Sequence, residues 1–422
     1  MPLLLGAVAD DYTGASDLAN TLHRNGLSTI QTIGVPASGL EVDDTEAIVV
    51  ALKIRSIDAA QAVEAATKAY DRLSARGARH VMYKICSTFD STDAGNIGPV
   101  ADALGAKSRG GCALVTPAFP ETGRTVYLGH LFVGLAPLNE SPLKDHPLNP
   151  MHDANLVRVL QRQSQASVGL IDLMTVAQGG ETVSRARAEL TAQGYGTAIV
   201  DAVFERDLEA LGDAAAESAF SVGASGLGLG LARALARGRS TASHAATLDA
   251  VGGSAAILAG SCSQATLEQI AAVESEIPVL RLSPEALIED AGEIDRTLEW
   301  AKDRIASGPI VIASSKEPEQ VAALQARYGR DKSGHAIEHA LAEIASGLVG
   351  FGARRLVVAG GETSGAAVDR LGVSTFRLGP EIAPGVPLMR TVGRKGGELQ
   401  MALKSGNFGG RDFFTRALAM TR

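Results

Sequence analysis

Two adjacent aspartates, Asp10 and Asp11, stand where the first apolar run, LLLGAVA, gives way to Tyr12-Thr13-Gly14 and a helical pattern from about Ala15. Paired carboxylates at a strand end can accept a proton from a substrate hydroxyl or hold Mg²⁺. The same pattern also suits a plainer arrangement, in which one aspartate caps the helix and the other is solvated. Asp17, one or two turns further on, either supports this loop or lies on the surface. A second dense loop, Cys86-Ser87-Thr88-Phe89-Asp90-Ser91-Thr92, follows Lys84 and the run HVMYKI. Its hydroxyls and carboxylates can bind a polyol while Lys84 pairs with an acid group, although such residues also favour caps and turns by themselves. Arg55 carries a planar fork suited to clamping a carboxylate with two hydrogen bonds. In TPAFPETGRTVYLGHLFV, Glu121, Arg124 and His130 interrupt a hairpin-like segment, and His130 reads as structural. The proline-broken stretch PLKDHPLNPMHDANL that follows could close over a site.

Three Gly/Ser loops occupy the second half. SAAILAG leads into Ser261-Cys262-Ser263, RRLVVAG into Gly361-Glu362-Thr363, and MALK into Ser405-Gly406-Asn407. Glycine lets backbone N–H groups approach a phosphate, and a helix N-terminus favours negative charge. One such loop is weak evidence; three in one region point to a nucleotide. No Gly-x-x-x-x-Gly-Lys-Ser/Thr is present, so the chain is not a Walker-type protein. Gly226-Leu227-Gly228-Leu229-Gly230 imitates a dinucleotide loop without its strand-loop-helix setting, and reads as packing or linker glycine. His335-Ala336-Ile337-Glu338-His339 matches an inverted zinc-peptidase pattern. It lies in an ordinary amphipathic helix with no distal ligand set, so no metal-binding residue is assigned.

The elements that must position these groups alternate. Continuous apolar runs such as TEAIVVAL and GCALVTP read as strands buried on both faces, and DAAQAVEAATKAYDRLSARG reads as an amphipathic helix between them. The fold class is α/β, with two domains, each a largely parallel sheet flanked by helices. The domains are placed at 1–240 and 250–422, with a Gly/Ala/Ser-rich boundary near 235–253. Ligands of such sheets bind beyond the carboxyl ends of the strands, where every loop above lies. The 422 residues are 45% hydrophobic and 20% charged, an ordinary globular balance. A net charge of -8 and 4% aromatic residues exclude a nucleic-acid footprint. No apolar run is long enough to span a membrane. Three scattered cysteines suit a reducing cytoplasm.

The loops together resemble those of the four-carbon acid sugar kinase family nearly end to end. The resemblance rests on ADDYTGASDLAN, KICSTFDSTDAGNIGPV, TPAFPETGRTVYLGHLFV, LAGSCSQAT, AGGETSGAAV, APGVP and LKSGNFGGRDFF. The CSTFDST loop is most similar to the 3-oxo-tetronate kinase branch. The resemblance implies an N-terminal sugar-acid domain, a C-terminal ATP domain and an active site in the interdomain cleft. It implies transfer of the γ-phosphoryl of ATP, with Mg²⁺, to the C4 hydroxyl of 3-oxo-tetronate. Ser261, Gly360, Gly361, Glu362, Thr363 and Gly406 would lie on ATP. Asp10, Asp11, Arg55, Lys84, Ser87 and Asp90 would lie near the acid, with Asp11 the base and Asp10 its support. A threonate or erythronate kinase is the nearest alternative; a zinc hydrolase and a non-catalytic sugar-acid sensor are remote ones. The implied partners are small molecules, and a homo-oligomer is compatible with all of this.

Overall fold

A computed structural model describes residues 2–37, 39–40, 44–145, 149–238, 248–289 and 292–421. The chain divides into two compact units, Met1–His244 and Ala245–Arg422. Positions 239–247 of the Gly/Ala/Ser-rich boundary and 146–148 of the proline-broken stretch lie outside the described residues.

The first unit contains β1 (Leu5–Ala9), β2 (Thr29–Ile33), β3 (Ala47–Ala51), β4 (His80–Lys84), β5 (Ala113–Thr116), β6 (Arg124–Tyr127), β7 (His130–Val133), β8 (Ala136–Pro137), β9 (Ser167–Ile171), β10 (Tyr195–Val200) and β11 (Phe220–Gly223). Its main sheet runs β2-β3-β1-β4-β11-β5-β10-β9, and every pairing in it is parallel. Strands β1, β3 and β4 are buried along their whole length, the expected state of a parallel strand covered on both faces. Strands β6, β7 and β8 form a separate antiparallel sheet.

The helix Tyr12–Arg24 after β1 buries Ala15, Leu18, Ala19 and Leu22, one stripe at helical spacing. The Gly-rich run is part of the last helix of this unit, Ser225–Ala236, and not a linker. Its glycines permit close helix contacts: a Cβ on Gly230 would lie 2.0 Å from the Leu208 carbonyl oxygen, and one on Gly226 2.2 Å from that of Ala118.

The second unit contains β12 (Ser254–Ala259), β13 (Val279–Arg281), β14 (Ile310–Ala313), β15 (Ala353–Ala359), β16 (Thr375–Ala383), β17 (Val386–Thr391) and β18 (Gln400–Lys404). Its order is β13-β14-β12-β15-β18-β17-β16. The strands from β13 to β18 in that order are parallel, and β17 runs antiparallel to both neighbours. Ile257, Val311, Val357, Phe413 and Phe414 belong to one continuous core over this sheet. The expected α/β architecture of two largely parallel sheets therefore holds.

Strand order decides where each unit can bind a ligand. In the first unit the chain leaves β1 towards β2 on one side, and leaves β4 towards β5 on the other. Adjacent parallel strands whose connections diverge open a crevice at their carboxyl ends. In the second unit β12 and β15 are the equivalent pair, leading to β13 and β16 in opposite directions. No helix among the described residues is long and apolar enough to cross a membrane.

Candidate active site

The carboxyl ends of β1 and β4 carry the first cluster. Ala9 pairs with Lys84 in register, so Asp10 and Asp11 emerge beside the lysine. Asp10 is 2% exposed, and Arg55 grips it through two bonds: Nε donates to Oδ2 at 2.8 Å and Nη2 to Oδ1 at 2.9 Å. The same Nη2 lies 2.8 Å from Asp11 Oδ1, and Nη1 lies 3.9 Å from Asp90 Oδ2. One guanidinium therefore gathers three carboxylates from two loops. Among the described residues, Arg55 is held in turn by Asn96, whose Nδ2 donates to the carbonyls of Ile54 at 2.6 Å and Ile57 at 2.9 Å.

Asp11 caps the first helix: its Oδ1 accepts the Gly14 N–H at 2.9 Å. Its side chain keeps 30% of its surface exposed, and no described donor bonds its Oδ2. Burial pushes the Asp11 carboxyl above the ordinary aspartate range; Arg55 opposes the shift, the charge of Asp10 adds to it, and Lys84 opposes it. Gly14 is required by this packing, because a Cβ there would meet Asp11 Oδ1 at 2.3 Å and Lys84 Nζ at 3.0 Å. Lys84 is buried, and its Nζ donates to the Ile85 carbonyl at 2.7 Å.

In the next loop Thr88 Oγ1 donates to Asp90 Oδ1 at 2.6 Å, while Ser87 is half-buried. Phe89, fully buried, adopts a left-handed φ of 53°, a strained conformation for a side-chain-bearing residue that turns the loop back. Burial pushes the Cys86 thiol up to about 12, which leaves it un-ionised at neutral pH. Asp17 accepts a hydrogen bond from Ser225 Oγ at 2.5 Å and so ties the first helix to the last. His130 is engaged on both ring nitrogens, with the Leu128 carbonyl and with Asn155, as a structural histidine would be.

The second cluster forms at the ends of β12, β15 and β18. Ser261 follows β12, Gly360 follows β15 with a φ of 130°, and the helix Gly361–Arg370 begins there. Thr363 is buried, whereas Gly361 and Glu362 are exposed. Gly406 passes so close to Ser261 that a Cβ would lie 2.2 Å from its Oγ. Such a cradle of small residues and helix amides fits a phosphate chain. The third loop is pinned by Gln269, whose Nε2 donates to the carbonyls of Phe408, Gly409 and Gly410 at 2.9–3.1 Å. His335 and His339 are exposed on the helix Arg330–Gly350, a solvated face.

Comparison with known proteins assigns a domain family to each unit. The family described as the sugar-binding N-terminal domain matches residues 5–231, and the nucleotide-binding C-terminal domain matches 256–414. The chain belongs to the four-carbon acid sugar kinase family. A 3-oxo-tetronate kinase of Methylobacterium radiotolerans is 64% identical over 423 residues, covering 100% of both chains. A Burkholderia multivorans protein of the same name is 49% identical, over 98% of this chain and 96% of its own. A crystal structure of a Haemophilus influenzae protein superposes with a TM-score of 0.84 at 40% identity, covering 99% of this chain and 100% of the other.

Within this kinase fold one residue escapes motif reading. Lys404 is 2% exposed, and its Nζ donates to Thr266 Oγ1 at 3.0 Å and the Gly406 carbonyl at 2.8 Å. No carboxylate pairs with it among the described residues, and burial lowers its pKa to about 8. At the end of a strand such a lysine gives no sequence signal of burial. The sign of its contribution follows from linkage. Below pH 8 the lysine is protonated folded and unfolded, and its cost to stability is constant. Between about 8 and 10.5 the unfolded chain holds a proton the fold has released, so stability rises with pH, by on the order of 3 kcal/mol in total. Chemical denaturation at pH 7.5 and 10 should show this rise in the wild type relative to Lys404→Met, in which that component is gone.

Proposed function

We propose that this chain transfers the γ-phosphoryl group of ATP to the C4 hydroxyl of 3-oxo-tetronate. The observation that carries the reading is Asp11: a helix-capping carboxylate, part-exposed at the sheet's switch point, with one oxygen held and its pKa raised. Full-length relatives named 3-oxo-tetronate kinase, at 41–64% identity, support the choice of acid.

Asp11 orients the hydroxyl and takes its proton as the oxygen attacks phosphorus, while Asp10 and Arg55 hold Asp11 in place. Ser87 and Asp90 meet the polyol, and Lys84 with Arg55 supplies the positive field for the substrate carboxylate. Arg55 is already committed to resident carboxylates, so it acts on the acid mainly through charge. Ser261, Gly360, Gly361, Glu362, Thr363 and Gly406 receive the ATP phosphates through backbone and hydroxyl donors. Mg²⁺, if carried by the nucleotide, would supply positive charge that offsets the charge of the phosphates. A cytoplasmic setting is consistent with the three free thiols.

Coupled measurement of ADP release over 3-oxo-tetronate, threonate and erythronate tests the assignment. The highest kcat/KM is expected with 3-oxo-tetronate, and turnover confined to threonate or erythronate would overturn it. Lys84→Met should raise KM for the acid by about 10- to 150-fold, the equivalent of a lost charge-assisted contact of ~1.5–3 kcal/mol, whereas Arg55→Met, which also releases Asp10 and Asp11, should lower kcat as well. KM for ATP should stay near the wild-type value in both.

A further inference from the structure

Two arginines meet at the amino ends of β15 and β18, the ends opposite those that carry the phosphate loops. Arg354 is the second residue of β15, and Arg394 stands in the turn 393–398 that leads into β18, its parallel neighbour. Both are half-buried. Between them the turn exposes Gly396, with a φ of 91°, and Gly397, with a φ of 96°. A Cβ on Gly396 would lie 3.6 Å from Arg394 Nη1, and one on Gly397 3.7 Å from Arg354 Nε. The two guanidiniums therefore flank one bare stretch of backbone.

Neither arginine pairs with a carboxylate among the described residues. Arg354 Nη1 donates to the carbonyls of Val349 at 2.9 Å and Ala353 at 2.8 Å. Arg394 donates from Nε to the Leu371 carbonyl and from Nη1 to that of Gly397, each at 3.1 Å. The bonds to Val349 and Leu371 tie down the C-terminal ends of the helices Arg330–Gly350 and Gly361–Arg370, a favourable place for a cation. Helix capping thus explains part of each fork and leaves the rest unused: Nε and Nη2 of Arg354 and Nη2 of Arg394 have no partner among the described residues. Glu398, the one acid of the turn, accepts instead from Thr391 Oγ1 at 2.8 Å and the Gly393 N–H at 3.1 Å. Burial lowers the Arg394 pKa, the charge of Arg354 lowers it further, and Glu398 opposes both. A fold that holds two like charges half out of water carries a repulsion that a bound anion relieves.

We propose that Arg354, Arg394 and the glycine turn between them bind a phosphate dianion, free or as the ester of a small acid. Such a group carries nearly two negative charges at neutral pH and several acceptor oxygens, which match two planar forks. A lone carboxylate offers one charge and two oxygens. With glycine at 396 and 397, no side chain of the turn covers the free donors. The site is separate from the nucleotide cradle, because Gly360 lies at the far end of β15, roughly 20 Å from Arg354 at ~3.3 Å per residue.

Calorimetry on the full chain tests the site, at constant ionic strength and with the nucleotide cradle filled by ADP. Inorganic phosphate and 3-phosphoglycerate are the probes. The wild type should bind inorganic phosphate, and Arg394→Gln should weaken that binding at least tenfold. Gly396→Asp keeps both helix ends bonded and offers the forks a resident carboxylate; aspartate tolerates a positive φ better than most residues. It should weaken phosphate binding to a similar degree, while ADP binds both variants with wild-type affinity. An affinity for 3-phosphoglycerate above that for phosphate, lost in both variants, identifies an ester as the ligand; one no higher identifies the free ion. No phosphate binding by the wild type, or undiminished binding in either folded variant, would overturn the site. Equal weakening of ADP and phosphate would overturn it too, since the effect would then lie in the nucleotide cradle.

Discussion

Asp11→Asn should lower kcat by ~10²–10⁴ while ATP still binds with unchanged affinity. Asparagine keeps the size of the side chain, and its Oδ1 still accepts the Gly14 N–H that caps the first helix. Only the charge, and with it the capacity to take a proton, is lost. The pH profile gives a second readout. Asp11 must be ionised to act as a base, so wild-type activity falls as pH drops through its raised pKa. This acid limb should begin above the ordinary aspartate range and disappear from the residual activity of the variant. Asp10 differs in kind: it is 2% exposed and bound by Arg55 at both oxygens. Asp10→Asn should therefore release Arg55 and disturb the position of Asp11. Full activity in Asp11→Asn with an inactive Asp10→Asn would exchange the two roles, and full activity in both would remove the pair from the chemistry.

Gly406→Val should cost ATP affinity by about 5- to 150-fold, the equivalent of ~1–3 kcal/mol of overpacking in the cradle. A Cβ at this position would lie 2.2 Å from Ser261 Oγ and 2.9 Å from Ser263 Oγ. Valine must then push the β12 loop and the β18 loop apart. The Gly406 carbonyl is also the acceptor for Thr266 Oγ1 and Lys404 Nζ, so its displacement would leave a buried ammonium short of a partner. Titration with ATP by calorimetry reads the loss directly. Binding of 3-oxo-tetronate, assigned to the other unit, should be unaffected. ATP affinity equal to wild type in the folded variant would show that the three loops do not form one cradle.

Much of the candidate site was legible in the residues themselves. Asp10-Asp11 at a strand end and the Gly/Ser loops after later strands were recognisable, because a parallel sheet places its loops at the carboxyl ends whatever the strand order. Apolar runs marked β1 and β3, since strands buried on both faces read as near-continuous apolar segments, and β4 kept that signature in its centre despite a buried His80 and Lys84 at its ends. The long motifs shared with the sugar-acid kinases pointed these loops to the acid and the nucleotide, while the choice of Asp11 over Asp10 as base rests on its place at the loop apex. Asp11 in fact does the capping, and that bond is what fixes the carboxylate proposed as base.

Other features were decided only by tertiary structure. That Arg55 binds Asp10 and Asp11, 45 and 44 positions away, follows from β3 lying next to β1. No local periodicity encodes that adjacency. The buried state of Lys404, the hold of Gln269 on three carbonyls and the approach of Arg394 to Arg354 have the same origin. Each depends on which strand ends the sheet order brings together, and a side chain's solvation is set by those distant neighbours. Local pattern determined which segments became strands, helices and loops; the order β13-β14-β12-β15-β18 determined which loops meet and which polar atoms are sealed from water between them.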